Sequence, residues 1–153
     1  MKIMFICTGN ICRSAMAHWL MKKKLEDKNI QNIEVFSSGI YAMQGDIPTQ
    51  EATEVMEEYG VDLKKHRATP TYKSNIEEMD LILCMTSSHR QNLISTYPNL
   101  ADKIYTLKEY VGIDEIDIKD PWGYGLAVYR YCAAEIDQCL DKLIEKIKSS
   151  SKS

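Results

Sequence analysis

The stretch KIMFICTGNICRSAM, residues 2–16, decides the fold. Its first six residues are apolar enough for a buried strand, and the segment from Ser14 onward carries helical spacing. Between them runs a short loop, Thr8 to Cys12, closed by Arg13 and Ser14. Strand, tight loop and helix in this order open a right-handed βαβ unit. The backbone N–H groups of such a loop, with the positive end of the helix behind it, suit an anion.

The rest of the chain continues that alternation. A helix over 14–28 has Met16, Ala17, Leu20, Met21 and Leu25 on one stripe, and IEVFS (33–37) reads as a second strand ended by SSG. Pro48 and Thr49 signal a helix start, with Ala52, Val55, Met56 and Tyr59 on one face and Gly60 as the stop. DLILCM (80–85) is the most hydrophobic strand candidate, SSHRQNLISTYP (87–98) a short helix closed by Pro98, and KIYTL (103–107) a fourth strand. Tyr129, Cys132, Ala133, Ile136, Leu140, Leu143, Ile144 and Ile147 mark a last long helix, and SSSKS (149–153) a frayed tail. The expectation is an α/β fold of three layers, a four-stranded parallel sheet flanked by helices, with the phosphate-binding loop between first strand and first helix. Residues 1–153 are read as one domain, without repeats or linkers.

Composition narrows the function. The chain has 153 residues, 44% of them hydrophobic and 27% charged, with a formal charge of −3. That balance disfavours a nucleic-acid module, which usually shows a basic face. The run Lys22–Lys24 reads as the solvated face of a helix. No stretch approaches the ~20 apolar residues of a membrane span, and the N-terminus turns polar too soon for a signal peptide. A cytoplasmic monomer is expected, with no membrane or nucleic-acid partner. Five cysteines without a secretion signal argue against a disulfide framework. There is no CxxC, and His18, His66 and His89 lack ligand rhythm, so neither metal nor cofactor is expected.

Ligands of such sheets sit at the carboxyl ends of strands, so chemistry should start at Cys7. Gly9 permits a positive φ and a close approach, and Asn10 is the next best residue for left-handed geometry. Arg13 supplies a planar fork for two phosphate oxygens. The same positive field favours the Cys7 thiolate as a nucleophile aimed at phosphorus. Ser14 can donate a hydrogen bond to that sulfur and help it leave later. A phosphoryl-cysteine route also needs a general acid, and Asp120 in KDPWGYG (119–125) is the candidate, with Trp122 as a flat wall for a planar substrate.

ICTGNICRS with a late DPW resembles the low-molecular-weight protein tyrosine phosphatases over almost the whole chain. The resemblance implies Cys7 as nucleophile, Arg13 as phosphate ligand and Asp120 as acid and then base. It implies substrate contacts from Thr8, Gly9, Asn10, Ile11, Cys12, Ser14 and Trp122, and no metal. Asn10, Ser14, Ser37 and His66 match a network that props the loop, and Cys12 matches a residue that can form a reversible disulfide with the nucleophile. Phosphorylated proteins are the expected partners, and phosphate or other oxyanions the loop ligands. The chain departs from the family at Ala15, where Pro is usual, at His18, where Glu is common, and at Gly123, which replaces a second aromatic. Neither Ala15 nor His18 is expected to touch the chemistry.

Two branches of the family remove phosphate from tyrosine or from arginine. DKIYTLKEYVG (102–112) and the glycine behind Trp122 resemble the arginine branch. In that branch position 11 resembles Thr, whose hydroxyl suits a guanidino nitrogen. Here it is Ile11, an apolar residue that suits an aromatic ring, so phosphotyrosine is the favoured substrate and phosphoarginine the alternative. An arsenate reductase of this fold would need two relay cysteines. Cys84 is suitably placed, but Gln91 and Asn92 follow where a partner is needed, and Cys132 and Cys139 read as core. A non-catalytic phosphotyrosine-binding module would lack Cys7 or Asp120. A nucleotide-binding loop would end in Gly-Lys-Ser/Thr.

Overall fold

The computed structural model describes the chain through residue 151. Strands β1 (Lys2–Cys7), β2 (Glu34–Gly39), β3 (Leu81–Cys84) and β4 (Ile104–Thr106) form one sheet in the order β2-β1-β3-β4. Every pairing is parallel, with Cys7 opposite Gly39 and Ile6 opposite Cys84. Helices α1 (Arg13–Asp27), α2 (Gln50–Glu58), α3 (Ser87–Thr96), α4 (Leu107–Tyr110) and α5 (Leu126–Ser151) cover it. Among the described residues, short 3-10 turns lie at Thr71–Lys73, Ile76–Glu78 and Pro98–Lys103.

Alternation along β1 sorts the core into two layers. Ile3, Phe5 and Cys7 face α1, α2 and α5, while Met4 and Ile6 face Leu93 of α3 with Ile82, Cys84 and Ile104. Burial on both faces is why KIMFIC reads as an unbroken apolar run and not an alternating one. The stripes expected on the first and last helices are buried, with Ile147 only partly so. Lys24 is not a simple solvated lysine: it joins α1 to α5 through Asp137 at 2.6 Å and Asp141 at 2.7 Å.

Boundaries moved where a local hydrogen bond outweighed propensity. Thr49 caps α2 by accepting from the N–H of Ala52. Thr106 caps α4 by accepting from Glu109, so the fourth strand stops one residue earlier than KIYTL suggests. Pro98 opens a 3-10 turn two residues beyond the end of α3. The tail expected to fray from 149 is helical through Ser151, and residues 152 and 153 lie outside the described residues. Among the described residues no helix is long and apolar enough to cross a membrane.

The chain leaves β1 for β2 on one side and then crosses to β3 on the other. The switch point therefore lies at the carboxyl ends of β1 and β3, where a ligand crevice belongs. The loop 8–12 and the start of α3 both emerge there.

Candidate active site

The loop after Cys7 is held from several sides. Ile40 N–H donates to the Cys7 carbonyl, Tyr41 N–H to Thr8 and Thr49 N–H to Ile11. His66 Nε2 donates to the Asn10 carbonyl at 2.7 Å, and Asn10 Oδ1 accepts from Thr69 N–H at 3.0 Å. Asn10 adopts φ 57°, the left-handed conformation expected for it. Gly9 does not adopt the positive φ that it permits. The close approach belongs to Gly39 instead, whose added Cβ would lie 2.6 Å from Thr8 O and 2.8 Å from Asn10 N. Both obstacles are backbone atoms, so Gly39→Ala should destabilise the fold by ~1–3 kcal/mol. It should also weaken inorganic phosphate binding by about tenfold through displacement of Asn10. Thermal denaturation and a phosphate inhibition constant check the two effects.

Cys7 ends β1 fully buried. Ser14 Oγ lies 2.9 Å from its Sγ and the Ser14 N–H 3.4 Å away. Among the described residues no side chain caps α1, so its first N–H groups stay directed into the loop. Arg13 is buried, yet Nη1 donates to the Ile118 carbonyl at 2.9 Å and Nη2 lies 3.7 Å from Asp120 Oδ2. Among the described residues its Nε has no hydrogen-bond partner. A buried guanidinium donor left open at the start of α1 fits an oxyanion.

Asp120 arrives on a segment docked across the strand ends. Ile118 N–H donates to the Met85 carbonyl, and Asp117 Oδ1 accepts from Ser87 N–H at 2.8 Å. The Asp120 carboxylate is half exposed; its Oδ1 accepts from Trp122 N–H at 3.1 Å and faces Cys12 Sγ at 3.7 Å. Burial, and then Cys7 close by, push the Cys12 thiol up. Trp122 and Tyr124 project into solvent, 63% and 73% exposed, leaving an aromatic surface beside the acid. Ile11 is half-buried and leans over Gly9.

The propping residues meet as the resemblance implies: Asn10 Nδ2 donates to Ser14 Oγ at 2.8 Å and to Ser37 Oγ at 3.0 Å. Three contributors escaped the sequence reading. His18, expected to stand apart, has Nδ1 2.7 Å from Ser37 Oγ. Trp19 Nε1 donates to His66 Nδ1 at 2.9 Å, which fixes His66 as a neutral ring protonated on Nε2; burial also lowers its pKa. His89 joins Thr8 Oγ1 at 2.9 Å to Thr86 Oγ1 at 3.0 Å, and burial, then Arg13, lower it to about 4. The one local signal for His89 was TSSH, a Thr cap three residues before it.

A family model described as low molecular weight phosphotyrosine protein phosphatase matches residues 2–153. A protein-arginine-phosphatase of Geobacillus stearothermophilus is 36% identical over 97% of both chains. The low molecular weight protein tyrosine phosphatase of T. tengcongensis superposes with a TM-score of 0.90, at 43% identity, over 95% of this chain and 99% of that one. YwlE arginine phosphatase, as a C7S mutant with a phosphorylated active site serine, superposes at 0.92 with 35% identity, over 97% of this chain and 96% of the other. Matches of this length and identity leave one assignment: the chain belongs to the low molecular weight phosphotyrosine protein phosphatase family.

Proposed function

We propose that the protein hydrolyses phosphotyrosine in protein substrates through a phosphocysteine intermediate. The observation that carries this reading is the buried Arg13, fixed by Ile118, close to Asp120 and, among the described residues, with one donor unspent. A phosphate seated in the loop would take that donor and the loop N–H groups. The Cys7 thiolate attacks phosphorus, the S–P bond forms, the P–O bond to the aryl group breaks, and Asp120 protonates the departing oxygen. Asp120, now a carboxylate, takes a proton from water as that water attacks phosphorus. The S–P bond breaks and the thiolate leaves, stabilised by the Ser14 hydroxyl and N–H.

Ile11 and the exposed Trp122 favour an aryl substrate, since neither offers an acceptor to a guanidinium. Burial pushes up the thiols of Cys84, Cys132 and Cys139, the last two to about 12 and about 11, which makes a cysteine relay of the arsenate reductase kind chemically poor. The deciding measurement is kcat/KM on matched phosphotyrosine and phosphoarginine peptides, with Cys7→Ser as the blank. Phosphotyrosine should be preferred, and Ile11→Thr should shift the ratio toward phosphoarginine by about tenfold, the scale of one buried polar group gaining a partner. A preference for phosphoarginine in the unaltered protein would transfer the assignment to the arginine branch. It would also mean that the acid loop, and not position 11, sets specificity.

A further inference from the structure

Behind the phosphate loop the hydrogen bonds run in one direction only. Asn10 Oδ1 accepts from Thr69 N–H, so its amide NH2 must face the two serines and donate one hydrogen to each. Each serine hydroxyl has then received a hydrogen and has its own proton left to place. For Ser14 the nearest acceptor is Cys7 Sγ at 2.9 Å, with the Ser38 carbonyl farther off at 3.5 Å. For Ser37 the remaining hydrogen-bond partner is His18 Nδ1 at 2.7 Å. Among the described residues the imidazole is the acceptor within reach of the Ser37 proton, which assigns His18 as a neutral ring with its own proton on Nε2.

We infer that His18 is a positioning residue for the nucleophile: as terminal acceptor for Ser37 it anchors the Asn10 amide, and through Asn10 it keeps the Ser14 hydroxyl aimed at the Cys7 sulfur. The inference rests on the phosphatase reading for its consequence and on geometry alone for the chain of bonds. His18 is itself locked, stacked on Trp19 with centroids 4.8 Å apart and planes at 9°, while Trp19 is tied to His66 and His66 to the Asn10 carbonyl. The same loop residue is thus held twice, by its side chain through Ser37 and by its carbonyl through His66. Burial first, then His66 and Lys22, lower His18 to about 3, so the ring stays an acceptor at neutral pH. A protonated ring would present a donor to Ser37 and leave the Ser37 proton without its acceptor.

The step most exposed to this chain is the second one, in which the S–P bond breaks and sulfur takes the electron pair. A hydroxyl aimed at sulfur stabilises the thiolate that leaves. It has less to offer in binding a phosphate held by Arg13 and the loop N–H groups. Loss of the anchor should therefore act on kcat more than on KM.

Two measurements test the assignment. Long-range 1H–15N spectra of the intact protein should show His18 as the neutral tautomer protonated on Nε2 from about pH 8 to about pH 5. A ring protonated on Nδ1 in that range would overturn the proposal without reference to activity. On an aryl phosphate, His18→Phe, which keeps the stack on Trp19 but offers no acceptor, should lower kcat by about five- to tenfold with little change in KM. His18→Gln, which can accept at its side-chain oxygen, should recover most of the loss. In a Ser37→Ala background the His18→Phe effect should shrink to within about twofold, because the two residues act through one bond. Additive losses, or no rescue by Gln, would reduce His18 to packing. If His18→Phe does not fold, the tautomer and the Gln variant still decide. If the unaltered protein lacks turnover that depends on Cys7, the phosphatase reading fails and takes the catalytic half of the proposal with it, while the tautomer reports on the geometry alone.

Discussion

Serine in place of Cys7 is expected to lower kcat on a phosphotyrosine peptide by about 10⁵- to 10⁶-fold, the scale on which a covalent hydrolase responds to loss of its nucleophile. The reason lies in what surrounds the sulfur. Its polar contacts are the Ser14 hydroxyl, which has already accepted from Asn10, and the Ser14 N–H. Neither of these groups is a base that could remove a proton from a serine hydroxyl. A phosphoseryl adduct that did form would be slow to break down, since an alkoxide leaves far less readily than a thiolate. Steady-state assays on the variant, with intact mass after incubation with substrate, check both halves. Activity above about one hundredth of the unaltered protein would remove Cys7 from the role of nucleophile.

Lysine in place of Arg13 is expected to lower kcat/KM by about 10³-fold, at the upper end of what loss of one preorganised oxyanion donor produces. Arg13 spends Nη1 on Ile118 and turns Nη2 toward Asp120 and Thr8, and among the described residues its Nε has no partner. A lysine ammonium is a point charge and cannot meet these demands at fixed angles. It would either leave the Ile118 carbonyl unpaired or withdraw from the phosphate. The inhibition constant of inorganic phosphate should rise by at least about tenfold in the same variant, because the interaction exists in the ground state as well. A phosphate constant unchanged within about twofold would mean that the loop N–H groups alone hold the anion.

What could be read along the chain was whatever short-range physics decides. KIMFIC is buried on both faces and so runs apolar without a break; Thr49 caps the helix it precedes; and the apolar stripe from Tyr129 to Ile144 is the buried face of α5. Cys7, Arg13 and Ser14 fall within one loop and its helix, so their convergence was legible too. What escaped that reading shares a cause. Gly9 permits a positive φ without adopting one, whereas Asn10 takes its left-handed conformation because its carbonyl and amide are held by His66 and Thr69 from far along the chain. Gly39 does end β2, and it is also the clearance that the loop on the neighbouring strand needs. His18 and Ser37 are 19 residues apart and Thr8 and His89 are 81 apart, so these pairs exist only once the sheet has brought their elements together.

The contact between Arg13 and the Ile118 carbonyl spans 105 residues, and that between Cys12 and Asp120 spans 108. During synthesis Cys7 and Arg13 therefore leave the ribosome about a hundred residues ahead of Ile118 and Asp120. A nascent chain that has made only the first half of the sheet carries a cysteine with neither a fixed guanidinium nor an acid beside it. The same holds for a chain clipped ahead of residue 118. On the phosphatase reading such fragments lack turnover, so activity would report that residues 118–120 have been made and docked against the loop.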